Sequence, residues 1–550
     1  MTSLHTTGVR SLIIVAALAA GRRLRPALAV ARSGNAGVRQ AMGEAAAAGG
    51  LYAAIEATLA ARAQHAVIEA GSQSLTGAQL DARVARAAGA LAMLGVGRGD
   101  RVVVQAEKSL SQAILYLAVL RAGGVYVPLN TAYQRDEIAY FTGDAEPALL
   151  VCDPARAQSF GPLVLGTRTR LVTLGADGRG TLADAVLGAA PTPAVAVRAD
   201  ELASIIYTSG TTGRSKGAML THANLLENAR ALVTTWQIGA SDVLLHALPL
   251  FHIHGLFVAL NTLLLAGGRV QLLRSFDPPA VIEALPRATL FMGVPTYYTR
   301  LLATQRLDRR NTASIRAFIS GSAPLLPQTF QAFEAATGHR VLERYGMSEC
   351  GIISSNPLDG PRVPGAVGLP LPGVELRIAD VHGAALAAGE AGVVEVRGAH
   401  VFKGYWRMPE RTAAELRADG YFVTGDIGRI DAHGYLHIVG RAKDLVITGG
   451  LNVYPKEIEQ LLDSLPGVGE SAVIGLPHPD FGEAVAAVVC PASGLAAPEP
   501  EALIAAARQK LAGFKVPKVI FLVDELPRNT MGKVQKAVLR ERYAATFGGA

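Results

Sequence analysis

Residues Tyr207–Gly217 read YTSGTTGRSKG, a run of hydroxyl side chains and glycines that leads to a lysine. Glycine lets backbone N–H groups approach phosphate oxygens closely. Serine and threonine hydroxyls donate further hydrogen bonds, and the Lys216 ammonium adds positive charge. The pattern suits a polyphosphate. It is not a Walker A loop, which needs Gly-Lys-Ser/Thr after four spacer residues and opens into a helix. Here Lys216 lies between Ser215 and Gly217. P-loop ATPase and GTPase chemistry is excluded on that ground.

Four further segments follow in order: ERYGMSE (Glu343–Glu349), YFVTGD (Tyr421–Asp426), GRAKDLVITGGLNVYPKEIE (Gly440–Glu459) and PRNTMGK (Pro527–Lys533). With the loop, they resemble the motifs of the adenylate-forming superfamily of acyl-CoA synthetases, luciferases and peptide synthetase adenylation domains. The likeness runs over about residues 50 to 545. It implies an ATP-dependent acid–thiol ligase. A carboxylate resists attack because its charge is delocalised and oxide leaves poorly, and transfer to the α-phosphate of ATP supplies AMP as the leaving group. The protein must then screen two anions as they meet, which is electrostatic preorganisation.

The resemblance assigns roles to positions. Thr208, Ser209, Gly210, Thr211, Thr212, Gly213 and Lys216 would cradle the departing phosphates. Glu349, with Thr208, would hold Mg²⁺, a hard cation that takes oxygen ligands. Tyr345, beside Gly346, would stack on adenine in a pocket lined by Gly321, Ser322 and Ala323. Ser348 stands where most relatives carry threonine and keeps the hydroxyl. Asp426 and Arg441 would fix the ribose, and Lys533 would bridge the acid and the α-phosphate. Lys443 sits at the expected hinge. Gly449 and Gly450 would flank the tunnel through which CoA brings its thiol, where side chains would obstruct.

Within the superfamily, HALPLFHIHGLF (246–257), MGVPTYYTRLL (292–302), ISGSAPLL (319–326) and DGPRVPGAVGLPLPGVELRI (359–378) most resemble malonyl-CoA synthetases. That likeness implies malonate or methylmalonate as the acid, with AMP and pyrophosphate released. A dicarboxylic acid carries a second charge into the pocket, and an unpaired buried charge costs several kcal/mol. An arginine, whose planar fork fits a carboxylate, is the expected partner. Arg300 is the candidate, with His252, His254, Ser322 and Met347 around the acid. Ile253 departs from relatives that place a hydroxyl there, which leaves malonate against methylmalonate open. Other readings are a medium-chain or aryl acid–CoA ligase, an adenylation domain that loads a carrier protein, and a luciferase-like oxygenase.

The elements that must position these residues point to an α/β fold. Arg101–Gln105 (RVVVQ), 148–152 and Leu202–Tyr207 read as strands, Ser111–Arg121 as a helix, and Ala218–Leu232 as another. Strands separated by helices argue for layered parallel sheets. Past residue 420, glycines punctuate short strands. A compact tail follows, with strands at Ser471–Gly475, Val485–Val489 and Val519–Val523 and a helix at Glu501–Leu511. The expected organisation is a leader over 1–48, a large N-terminal adenylation domain over 49–440 and a hinge at 441–443. A small mobile α+β lid domain over 444–550 carries Lys533.

Charge and cysteines narrow the partners. The net charge is +7, and six of those charges are arginines within residues 1–43, which contain no acid. The near-neutral remainder offers no field for nucleic acid. Leu12–Ala20 is apolar but shorter than the roughly 20 residues a membrane span needs, so no stable membrane insertion is expected. Residues 1–43 read as a start-site extension ahead of Met42, a transit peptide or a signal. The need for ATP and CoA puts the enzyme in the cytoplasm, or in the mitochondrion if they are a transit peptide. Cys152, Cys350 and Cys490 lack metal or disulfide spacing. Acetylation of Lys533 by an acetyltransferase, reversed by a deacetylase, would remove its charge.

Overall fold

Hydrophobic strands buried on both faces need helices on both sides, and that requirement organises most of the chain. The computed structural model describes residues 50–208, 215–448, 451–529 and 532–547. The leader, Ser209–Gly213 and the Gly449-Gly450 pair lie outside the described residues. Arg101–Gln105 runs parallel between Val125–Pro128 and Leu149–Cys152 in a six-stranded sheet, with Val102, Val103 and Val104 fully buried. The following helix, Leu110–Arg121, starts one residue earlier than its apolar pattern suggests. Ser109 sets that start by accepting from the Gln112 amide.

The second sheet has nine strands. At its centre Val243–His246, Leu290–Gly293, Ala317–Ser320 and Leu342–Met347 are parallel neighbours. Their C-terminal ends therefore open along one edge, the place where α/β sheets bind ligands. That edge carries the histidine loop, Gly293-Val294, Gly321-Ser322 and the ERYGMSE segment. A four-stranded antiparallel sheet follows, in the order Glu375–Ala379, Gly392–Arg397, Phe422–Ile430 and Leu436–Arg441.

One element differs from its expectation. Residues 218–221 are not helical: Lys216–Thr221 is a strand paired antiparallel with Leu202–Thr208, and the helix spans His222–Thr235. Thr221 divides them, in a capping box with Asn224. The short apolar run Ala218-Met219-Leu220 fits either period, and strand pairing decides it.

After the short 3₁₀ turn Ala442–Asp444 the chain builds a separate α+β lobe. Val468–His478 and Gly482–Pro491 form a long hairpin, and Val519–Leu522 joins it in parallel. The helices Pro455–Asp463, Pro500–Lys510 and Lys536–Arg542 complete it. One face of this sheet buries Val473, Val485, Ile458 and Leu462, and the other Ile474, Leu476, Leu526 and Leu539. Among the described residues, neither cluster includes a side chain from before Val446. Cys152, Cys350 and Cys490 carry free thiols. No helix of the described residues is long and apolar enough to cross a membrane.

Candidate active site

The segment read as a phosphate loop follows the strand Leu202–Thr208 and precedes its antiparallel partner Lys216–Thr221, with Thr208 paired to Lys216. Ser209–Gly213 lie outside the described residues. Lys216 is buried. Its Nζ donates to the Tyr405 hydroxyl and to Glu415 Oε1, each at 3.2 Å, and stands over the Tyr405 ring. The same hydroxyl lies 2.6 Å from Glu415 Oε2 and 3.1 Å from Glu349 Oε1. Burial raises the pKa of Glu349, while the Lys216 charge pulls it back down. Tyr405 thus ties the loop lysine to the expected metal ligand. Neither Tyr405 nor Glu415 lies in the quoted motifs, and no spacing signal marks them.

The nucleotide side is built on a bulge. The pairing of Leu342–Met347 with Gly351–Ser355 shifts register between Tyr345 and Gly346. A Cβ on Gly346 would stand 2.1 Å from the Gly351 carbonyl oxygen, so only glycine fits. Tyr345 is half-buried, and its hydroxyl donates to Asp426 Oδ2 at 2.5 Å. Arg441 lies opposite Asp426 in the neighbouring strand, with Nε 2.7 Å from Oδ1. The three residues assigned to adenine and ribose form one connected set. Ser348 and Met347, half-buried, continue the same strand turn. Lys443 lies in the 3₁₀ turn, where burial and the Arg441 charge lower its pKa.

Lys533 comes to this set from the other lobe. Its segment folds back on itself: the Lys533 amide donates to Asn529 Oδ1 at 3.0 Å, and the Asn529 amide to the Lys533 carbonyl at 3.0 Å. Gly532 has φ +73°, and a Cβ there would lie 3.2 Å from Thr296 Oγ1, so the turn sits against the helix Pro295–Ala303. Lys533 is exposed. Partial loss of hydration and repulsion from Arg441 push its pKa down to about 8, against the pull of Asp426 and Glu349.

At the acid end, His252 and His254 are kept neutral by burial and by the nearby cations: the pKa of His252 falls to about 3, and that of His254 well below its usual value. His254 Nδ1 is 3.2 Å from Ser322 Oγ. Ser322 has φ +74°, and Gly321 closes over the buried Arg344. Ala323 is half-buried beside them. Arg300 is exposed on the helix Pro295–Ala303, which turns Tyr298 and Leu301 inward, one turn beyond the Thr296 that meets the Lys533 turn. Arg344, which is brought to the acid end, stands inside a motif read for its nucleotide residues, and that reading masks it.

The AMP-binding enzyme model matches residues 55–406, and the model for the C-terminal domain of such enzymes matches 457–533. The chain belongs to the AMP-binding enzyme family. The ATP-bound crystal structure of MatB from Rhodopseudomonas palustris is 52% identical, covers 90% of this chain and 99% of its own, and superposes with a TM-score of 0.87. The apo form of MatB superposes at 0.78, so the chain follows the nucleotide-bound form more closely. A feruloyl-CoA synthase from Amycolatopsis sp is 37% identical, over 86% of this chain and 95% of its own. A malonate–CoA ligase from Arabidopsis thaliana is 35% identical, over 81% and 78%.

In an AMP-binding enzyme with these assignments, a carboxylate would be met at Lys533, a ribose at Asp426 and Arg441, and phosphates beside Lys216. Glu349 supplies a buried oxygen ligand beside them. It fits a cation such as Mg²⁺, which takes one or two carboxylates and the substrate's own phosphates.

Proposed function

We propose that the chain joins malonate to CoA: ATP converts the acid to an acyl-adenylate with release of pyrophosphate, and the CoA thiol then displaces AMP. Methylmalonate is the second acid of this reading. The observation that carries it is the character of the acid end, where His252, His254, Ser322 and Arg344 gather polar and charged groups. A feruloyl or medium-chain acyl group calls for an apolar wall there. The malonate–CoA ligases among the relatives support the same choice. The test is a panel of malonate, methylmalonate, succinate, acetate, octanoate and benzoate, read as AMP released with and without CoA. Malonate should lead it. A panel led by benzoate or octanoate transfers the enzyme to the aryl or medium-chain ligases.

Mg²⁺, held by Glu349 with Thr208, would neutralise phosphate charge during pyrophosphate departure. The chain's own part is the ammonium of Lys533, present below its pKa and lost above it. The adenylation rate of the free enzyme should therefore fall as pH rises through about 8. A kcat/KM profile in ATP checks this, and a flat profile up to pH of about 10, the ordinary lysine value, would contradict it.

Thioester formation requires the thiol to reach the adenylate from another side. The 441–443 segment is proposed as the hinge about which the lobe from 444 onward turns, with Gly449-Gly450 lining the thiol path. Lys443→Pro should slow thioester formation by about tenfold or more while adenylate formation stays near wild type. Equal loss in both half-reactions would refute the hinge. An acetyltransferase and deacetylase pair acting on the exposed Lys533 completes the regulatory side of this reading. The ATP and CoA requirement favours the cytoplasm or the mitochondrion.

A further inference from the structure

The turn at 347–351, which carries Glu349, joins the strands Leu342–Met347 and Gly351–Ser355. Their pairing skips Ile353, and a bulge of this kind breaks the ladder locally. Buried peptide groups still need partners, and beyond the bulge a side chain supplies them. Asn228 Nδ2 donates to the Ile352 carbonyl at 2.7 Å, and Asn228 Oδ1 accepts from the Ile352 amide at 3.0 Å. A carboxamide carries both a donor and an acceptor, so one side chain does here what a neighbouring strand would do. Asn228 is 7% exposed, and Gly351, at φ +61°, passes so close that a Cβ there would stand 2.4 Å from Oδ1.

The same helix makes a second grip. Asn224 precedes Asn228 by four residues, which puts both on one face of His222–Thr235. Its Nδ2 donates to the Ala399 and Val401 carbonyls, each at 2.8 Å. The chain just beyond carries groups that touch Glu349. The Phe402 amide donates to the Glu349 carbonyl at 2.8 Å, and the Tyr405 hydroxyl lies 3.1 Å from Glu349 Oε1. Glu349 is thus approached from two directions, and one helix face fixes both. Mg²⁺ demands near-octahedral geometry with short bonds, so a carboxylate that ligates it must be held closely in place.

We propose that Asn228 and Asn224 are positioning residues for Glu349, fixing its carboxylate where the divalent cation of ATP meets it. The assignment rests on the reading of Glu349 as the ligand of that cation. The asparagines touch neither nucleotide nor metal; they act through the backbone of 351–352 and 399–402.

The experiment uses Asn228→Asp and Asn224→Asp, each of which exchanges one NH₂ donor for an acceptor of the same size. Asn228→Asp still accepts from the Ile352 amide, and Asn224→Asp still accepts from the Thr221 amide that caps the helix. Each loses its donation to backbone carbonyls. The affinity of the ATP-bound enzyme for Mn²⁺, a spectroscopic stand-in for Mg²⁺, is read by electron paramagnetic resonance, and AMP affinity by calorimetry. Mn²⁺ affinity should fall by about tenfold or more in each variant, with AMP affinity within about twofold of wild type. Glu349→Gln separates this assignment from the reading beneath it. Unchanged Mn²⁺ affinity in Glu349→Gln overturns the metal role of Glu349, and the positioning role with it. Where Glu349→Gln loses affinity, an unchanged asparagine variant removes that asparagine from the role. Equal losses of Mn²⁺ and AMP affinity, or failure of both asparagine variants to fold, would make the pair a structural brace and overturn the assignment.

Discussion

Lys533→Ala should reduce adenylate formation by about a hundred- to a thousandfold, the range expected when one preorganised charge is removed from a developing transition state. Thiol transfer from a supplied acyl-adenylate should remain within about twofold of wild type, because the P–O bond that Lys533 helps to form already exists in that substrate. The structure supplies the reason for so large an effect. The charges of Arg441, Asp426, Glu349 and Arg344 all act on Lys533, and Gly532 seats its turn against Thr296. Lys533→Gln, which mimics the acetylated side chain in charge, should follow Ala. Pyrophosphate exchange measured beside single-turnover thioester formation separates the steps. Comparable losses in both would remove Lys533 from the chemistry and leave it a structural contact.

Asp426→Ala should raise the KM for ATP by about ten- to a hundredfold, since hydrogen bonds to a charged group contribute about 1.5–3 kcal/mol each. The carboxylate is 2% exposed, and both its oxygens are engaged, by Tyr345 and by Arg441. Its removal frees the ring expected to stack on adenine and leaves Arg441 without its partner in one change. Arg441 is partly exposed, so solvent screens part of that loss. Asp426→Asn keeps the size and one acceptor, and should lie between Ala and wild type. Nucleotide binding by calorimetry checks both, and an unaltered affinity for ATP in Asp426→Ala would remove the carboxylate from the ribose site.

Much of this site was legible because its residues sit in short runs whose chemistry is local. Gly346 is required by a strand approaching within 2.1 Å of its missing Cβ, and the YGMSE run marks that position. Asp426 and Arg441 fall in separate motifs but lie opposite one another in adjacent strands. What stayed hidden depends on tertiary packing. Tyr405 and Glu415 reach Lys216 only after the chain returns some 190 residues later. Arg344 reads as part of a nucleotide motif until burial and the loss of partners set it apart. Residues 218–221 read as helix in sequence because an apolar triplet carries no period of its own, and only pairing with 202–208 reveals the strand.

The C-terminal lobe keeps its oily interior to itself. Reorienting such a lobe would uncover no core side chain to water and would break mainly surface ties, such as that from Gln328 to the Asp463 carbonyl. Water replaces ties of that kind with little loss. Were the lobe to turn about the proposed 441–443 hinge, its interior would stay dry, and a bound substrate could select between the two arrangements.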